Sequence, residues 1–136
     1  MTMSELIEMT KRLVEKRDEL ARLIEVLERE VEKIKTKWGF KDYEIENCSI
    51  FINHRWVKNK AGSRYYYYYL VERDKEGKVI SNTYIGKNIP EGLLKKIRDF
   101  RKAKAIKKRI KKLKRELKEL DSKIRYINRL LKESLL

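Results

Sequence analysis

The sequence has few of the residues from which catalytic and metal sites are built. Its 136 residues include one cysteine, Cys48, and one histidine, His54. One cysteine excludes an internal disulfide framework, and this pair cannot complete a zinc site. Along an extended strand the two residues would lie ~20 Å apart, too far for a nucleophile and its base. We therefore predict a chain that is not an enzyme and uses no cofactor, metal or small-molecule substrate.

Long apolar runs are also missing. No stretch approaches the ~20 consecutive apolar residues that a membrane-spanning helix needs. The amino terminus has neither the cationic start nor the apolar core of a signal peptide. The sequence thus predicts a soluble, intracellular, cytoplasmic protein without a membrane partner. Glutamine is absent while Lys, Arg, Glu and Ile abound, a composition that favours a thermophilic source, such as an archaeon or its virus.

Acidic residues are fewer than basic ones, and the formal net charge is +15. Positions 2–38 carry nine basic and nine acidic residues, whereas positions 91–136 carry eighteen and six. Within residues 95–118, fourteen Lys or Arg stand against two acids, Asp99 and Glu116. Ordinary solvated faces mix both signs. A segregated cationic surface attracts a polyanion by Coulomb attraction and counterion release.

A long amino-terminal helix is predicted over residues 2–38, beginning with a capping box formed by Thr2 and Glu5. Two series of positions recur every seven residues along it: Leu6, Leu13, Leu20, Leu27 and Ile34, with Met3, Thr10, Arg17, Ile24, Val31 and Trp38. Such a repeat is typical of a coiled-coil seam. Gly39 would end this helix.

The hydrophobic period changes to two over residues 43–86, which predicts a three-stranded antiparallel β meander. A hairpin turn over residues 74–77 joins the second and third strands. Pairing Arg73 with Lys78 across it gives an approximate register, in which the five consecutive tyrosines form two stripes on opposite faces. Either face could be the buried one.

A second long helix is predicted over residues 90–134, with Pro90 in its first turn. Leu93, Ile97 and Phe100 form a stripe that would cover the sheet. A second stripe follows in three-four spacing: Ala103, Ile106, Ile110, Leu113, Leu117, Leu120, Ile124, Ile127 and Leu131.

Residues 6–34 and 106–135 have nearly equal lengths, so their seams can face each other. We therefore predict an α+β fold and a single domain, 1–136: two long helices forming an antiparallel coiled-coil hairpin, with the three-stranded antiparallel β meander inserted between them. In this register Arg17 would pair with Asp121. Apolar residues beside the seam, such as Ile7 and Leu130, indicate a homodimer.

A resemblance covers residues 64–98. The block YYYYYLVERDKEGKVISNTYIGKNIPEGLLKKI resembles a hairpin of small uncharacterised proteins from prokaryotes and their mobile elements, in which an aromatic strand, a Lys/Gly turn and a Tyr-Ile-Gly-Lys strand end lead into a helix. The order of three strands and a helix is similar to the DNA-binding domains of tyrosine integrases and plant AP2 factors, whose sheet lies in the major groove. This resemblance implies that Arg55, Arg64, Arg73 and Lys78 face the groove.

The predicted function is nucleic-acid binding by an accessory, regulatory or architectural protein, with double-stranded DNA favoured over RNA. The candidate binding residues are cations of the sheet and of the second helix: Arg55, Lys58, Lys60, Arg64, Arg73, Lys78, Lys104, Lys107, Lys108, Lys111, Lys112, Lys114 and Arg115. Tyrosines among them would either stack on bases or fill the core.

Two alternatives stay open. The order of helix, β hairpin and helix also resembles that of prefoldin subunits, which implies a coiled-coil interaction adaptor or a prefoldin-like chaperone. A role at a membrane surface ranks third, because the apolar stripe of the basic helix is already committed to the first helix.

Overall fold

The computed structural model describes residues 1–135 and has a mixed α+β architecture. Its elements are α1 (Met3–Trp38), α2 (Asp42–Asn47), β1 (Ser49–Lys58), β2 (Arg64–Arg73), β3 (Val79–Gly86) and α3 (Glu91–Ser134). The predicted long helices and the antiparallel three-stranded sheet between them are confirmed. No helix within residues 1–135 has the length and apolar character needed to cross a membrane.

Two compact units make up the described chain. Unit 1 combines Met1–Val31 with the chain from Ile106 onward, and unit 2 is Glu32–Ala105. Both long helices therefore contribute to each unit. The prediction of a single domain over residues 1–136 stays a prediction.

Unit 1 is built on apolar contacts between α1 and α3. Ile24, Leu27 and Val31 of α1 form a buried cluster with Ile110 and Leu113 of α3. From position 6 to position 34, every member of the two heptad series is buried or half-buried. Fully burying an aliphatic side chain of this kind contributes roughly 1.5–3 kcal/mol. The repeat therefore predicts correctly which side of α1 points inward.

The charged exception in the series, Arg17, has the predicted partner. Its guanidinium Nη1 lies 3.6 Å from Oδ1 of Asp121, and its Nε lies 3.5 Å from Asp18. The side chains of Arg17 and Asp121 are 35% and 38% exposed. An ion pair this open to water contributes ~0–1 kcal/mol, so it fixes the position of Arg17 more than it stabilises the fold.

Unit 2 contains a short helix that periodicity did not predict. The β region was predicted to start at residue 43, but Asp42–Asn47 form α2. Gly39 ends α1 as predicted, with a positive φ of 72°. The chain then turns so that Ile45 of α2 is fully buried. Ile45 belongs to a buried cluster with Ile34, Phe40, Cys48, Phe100 and Ala103.

The sheet of unit 2 has the strand order β1-β2-β3. The predicted alternation of faces holds, but the β2–β3 register is shifted by two residues: Val71 lies opposite Asn82 and Tyr69 opposite Tyr84, while Arg73 lies opposite Val79. The predicted pair of Arg73 with Lys78 is wrong, because Lys78 lies opposite Asp74, whose backbone N–H donates a 2.8 Å hydrogen bond to the Lys78 carbonyl. Irregularities at both ends of the ladder then give β3 extra residues.

Both faces of the sheet are covered at the end that contains Ile50 and Val71. Ile50 of β1 packs against the core cluster. Val71 is directly opposite Phe51 and therefore lies on the other face, where it is only 1% exposed. The sequence left open which face of the sheet is buried. At this end of the sheet, side chains of both faces are covered.

Replacing Arg17 by Leu is expected to maintain or raise the free energy of unfolding, because the pair with Asp121 is weak and apolar seam residues flank position 17. Asp121→Ala should lower it by less than ~1 kcal/mol. Urea denaturation followed by circular dichroism measures both effects. Arg12→Leu is the matched control, since Arg12 lies outside the seam and is exposed. A loss above ~1 kcal/mol for Arg17→Leu would contradict this account.

Candidate nucleic-acid interface

The solvent side of α3 in unit 1 carries a row of cations, Lys108, Lys111, Lys112 and Arg115, which we call the cationic face. Their spacing of i, i+3, i+4 and i+7 places them on one side of a helix with 3.6 residues per turn. Ile110 and Leu113 are buried on the opposite side. All four cations are exposed. Within the described residues, none of the four has a carboxylate at ion-pair distance. The row can therefore bind phosphate without first breaking a salt bridge.

Two other predicted helix residues already have protein partners. Lys114 lies 3.0 Å from Glu28 of α1. Lys104, in unit 2, donates hydrogen bonds from its Nζ to the carbonyl oxygens of Ile45 and Cys48, and so binds carbonyl groups at the end of α2. We infer a mainly structural role for Lys104. The predicted site residue Lys107 is half-buried.

Asp99, one of the two acids within residues 95–118, also makes contacts that stabilise the fold. Its Oδ2 accepts a hydrogen bond of 2.7 Å from the indole Nε1 of Trp38 and lies 3.5 Å from Nζ of Lys37. The Trp38 hydrogen bond, with the charge of Lys37, holds the pKa of Asp99 below its usual value. This carboxylate is thus held by contacts within unit 2.

The β1–β2 hairpin of unit 2 extends beyond β3. The last β3 pairing joins Gly86 to Tyr68, so residues 55–58 and 64–67 form a ribbon of two strands. Four pairs make up this ribbon: Arg55 with Tyr67, Trp56 with Tyr66, Val57 with Tyr65, and Lys58 with Arg64. Trp56 is 51% exposed and Tyr66 is 50% exposed. On the other face of the ribbon, Val57 and Tyr65 are exposed as well.

The ribbon and its turn carry four of the predicted site residues and no negative charge. Residues 47–71 include Arg55, Lys58, Lys60 and Arg64 but no Asp or Glu. The guanidinium of Arg64 lies 4.6 Å from the ring centre of Trp56, and that of Arg55 lies 4.9 Å from the ring centre of Tyr69. These cations are placed on aromatic rings and not beside carboxylates.

Arg73 and Lys78 lie at the other end of the sheet. They flank the turn between β2 and β3, which also contains Asp74 and Glu76. The guanidinium of Arg73 lies 5.3 Å from the ring centre of Phe51. The structure therefore places Arg55, Lys58, Lys60 and Arg64 on the ribbon and its turn, with Arg55 on the face opposite to Arg64. It separates all four from Arg73 and Lys78.

Aromatic rings line both faces of the sheet near the ribbon. On one face His54 stacks on Tyr68 with ring centres 4.5 Å apart, and it lies 4.8 Å from Tyr66. On the other face Tyr84 lies 5.7 Å from Tyr67 and 5.6 Å from Tyr69. Trp56 and Tyr66 are not among the site residues predicted from the sequence. Strand parity could have indicated them, because it puts both on the face of Arg64.

Within residues 1–135, no group of three or more His, Cys, Asp or Glu side chains could hold a metal ion. In comparisons with known proteins, no family model, no curated protein and no solved structure matches the chain. The resemblances to mobile-element hairpins, integrase-type domains and prefoldin subunits therefore remain predictions.

Lys104→Met is expected to lower the free energy of unfolding by about 1–3 kcal/mol, since two backbone carbonyls lose a charged hydrogen-bond donor. The matched control is Lys108→Met on the same helix, which should change it by less than ~0.5 kcal/mol because Lys108 is exposed. Thermal and urea denaturation measure both variants. Equal stability of the two proteins would contradict the structural role of Lys104.

Proposed function

We propose that this protein binds nucleic acid, with double-stranded DNA as its preferred form, and acts as an accessory, regulatory or architectural factor without enzymatic activity. The proposal rests mainly on the cationic face, whose four side chains are exposed and have no acidic partner within residues 1–135. We also propose that the protein is soluble and cytoplasmic.

Electrostatics supports a polyanion as the ligand. Each Lys or Arg that neutralises a phosphate releases condensed counterions, which favours binding at low salt. The ribbon supplies a second cationic surface. The major groove of B-DNA is wide enough to admit an α-helix. Duplex DNA offers both a regular row of phosphates and such a groove, whereas the major groove of an RNA helix is deep and narrow. DNA is therefore favoured over RNA.

We further propose that α1 and α3 form an antiparallel coiled-coil hairpin within unit 1. Two ion pairs support this arrangement: Arg17 with Asp121, and Glu28 with Lys114. Partner numbers fall along α3 as they rise along α1, as they do for antiparallel helices.

The second candidate function is protein–protein interaction through this helical part, in a homodimer or as an adaptor. It is favoured by apolar side chains that stay exposed near the start of α1, where Met3 is 40% and Ile7 is 43% exposed. A partner helix that covered these residues would gain ~25 cal/mol for each Å² of apolar surface.

The hairpin predicts which engineered cysteines form a disulfide. In a Cys48→Ala background, the pair Leu13→Cys and Ile127→Cys should oxidise readily. The pair Leu13→Cys and Ile106→Cys should not, because disulfides need Cα atoms within about 7 Å. Non-reducing electrophoresis and peptide mapping detect the bond and separate one chain from an exchanged dimer. Oxidation of the second pair alone would overturn the hairpin.

The main test is a salt titration with a short duplex. A variant with Lys108, Lys111, Lys112 and Arg115 changed to Gln should bind more weakly than the wild type. Its logarithmic salt slope should be shallower by about 0.9 for each phosphate that the variant no longer neutralises. Fluorescence anisotropy with duplex DNA, single-stranded DNA and RNA provides the measurement.

The matched control removes the same charge from α1 in unit 1. Changing Lys11, Lys16, Arg22 and Arg29 to Gln also removes four exposed positive charges, yet it should leave most of the salt slope in place. Equal effects of the two variants would show that net charge alone matters and would exclude the cationic face as a site. If the wild type binds no nucleic acid at ~50 mM salt, where the counterion contribution is large, the interaction protein replaces this proposal.

A further inference from the structure

The ribbon presents aromatic surface that unit 2 leaves exposed. Trp56 and Tyr66 are directly opposite each other in the β1–β2 register, and each has about half of its surface open to water. They lie beyond the last β3 pairing, at Tyr68. Large aromatic side chains gain much from burial, so an exposed pair on a projecting ribbon marks a contact surface.

The charge around these rings indicates the chemistry of the ligand. Arg64 and Lys58 form the next pair on the same face, and Arg64 lies over the ring of Trp56. No acid occurs within residues 47–71. The surface therefore combines flat π faces with cations and excludes negative charge. Nucleotides match both features, because they join planar bases to phosphates.

Unpaired nucleotides match this surface better than base pairs do. In a duplex the faces of the bases are stacked on each other, and only their edges are accessible in the grooves. An unpaired base can place its face on an aromatic ring and gain ~1–3 kcal/mol. On the opposite face Tyr67 and Tyr69 are half-buried and contact Tyr84, whereas Tyr66 contacts His54 and still has half of its surface exposed.

We propose that the ribbon binds unpaired nucleotides by stacking bases on Trp56 and Tyr66, with Arg64 and Lys58 at the adjoining phosphates. This inference rests on the proposed nucleic-acid function and refines it: the cationic face binds the duplex, and the ribbon adds binding to unpaired bases beside it. The cationic face engages phosphates of any strand, and the ribbon distinguishes exposed bases from paired ones.

The test compares three fluorescein-labelled probes: a blunt mixed-sequence duplex, the same duplex with a single-stranded overhang, and an oligothymidylate as long as one strand of the blunt duplex. Trp56→Leu should weaken oligothymidylate binding about 5- to 150-fold, the range expected when one base no longer stacks. It should change blunt-duplex binding less than about twofold, and the overhang should behave like the oligothymidylate. Because the variant removes a ring and no charge, its salt slope should equal that of the wild type.

Two further variants separate stacking from folding and from charge. Trp56→Phe retains a ring and should recover much of the affinity, while Lys58→Gln should weaken all three probes and reduce the salt slope. The protein has two tryptophans, so Trp38→Phe leaves Trp56 as the single emitter. A stacked base should quench that emission. Circular dichroism and thermal melting check that each variant folds.

The possible results distinguish this inference from the proposed function. If the wild type binds the blunt duplex but Trp56→Leu affects neither probe, stacking is overturned and DNA binding stands. An equal loss on duplex and oligothymidylate would also overturn stacking, because the ring would then act on paired DNA. No binding of any probe at ~50 mM salt would overturn both proposals, leaving an acidic protein partner as the ligand of the ribbon.

Discussion

Unit 1 depends on apolar packing that outweighs repulsion among the cations of α3. Within unit 1, residues 106–115 contain seven Lys or Arg and no acid. Like charges at helical spacing oppose the helix by ~0.2–0.5 kcal/mol for each pair. On the other side, Ile110 and Leu113 are buried with Ile24 and Leu27, and each such side chain contributes roughly 1.5–3 kcal/mol. Packing exceeds repulsion, so the cationic face can remain without neutralising acids.

In unit 2 the sheet is anchored at one end and exposed at the other. At the anchored end Ile50 and Val71 are covered. At the exposed end the ribbon has only two strands. An isolated two-stranded hairpin is at best marginally stable in water. The contact of Arg64 with Trp56 contributes about 0.5–1 kcal/mol at such an exposed site. Side chains that stabilise the ribbon are thus the ones that a ligand would meet.

The sequence predicts the strongly periodic parts of this fold and misses the parts set by local backbone geometry. A sustained heptad repeat predicts both the inward side of α1 and the pairing of Arg17 with Asp121. The helix α2 has six residues, too few for periodicity to indicate it. The β3 irregularities depend on backbone hydrogen bonds that composition does not encode. Lys104 looks like any other cation of α3 until Ile45 and Cys48 place their carbonyls beside it.

The proposed phosphate contacts and the proposed base stacking should respond differently to salt, and this difference bears on selectivity. Phosphate binding by the cationic face should weaken steeply as salt rises, because the free energy of counterion release falls. Stacking on Trp56 and Tyr66 involves no net charge and should persist over the same range. At low salt the phosphate contacts dominate, and all nucleic acids with similar charge density should bind alike. As salt rises, the ribbon supplies a growing share of the remaining affinity, so discrimination in favour of unpaired bases should increase while total affinity falls.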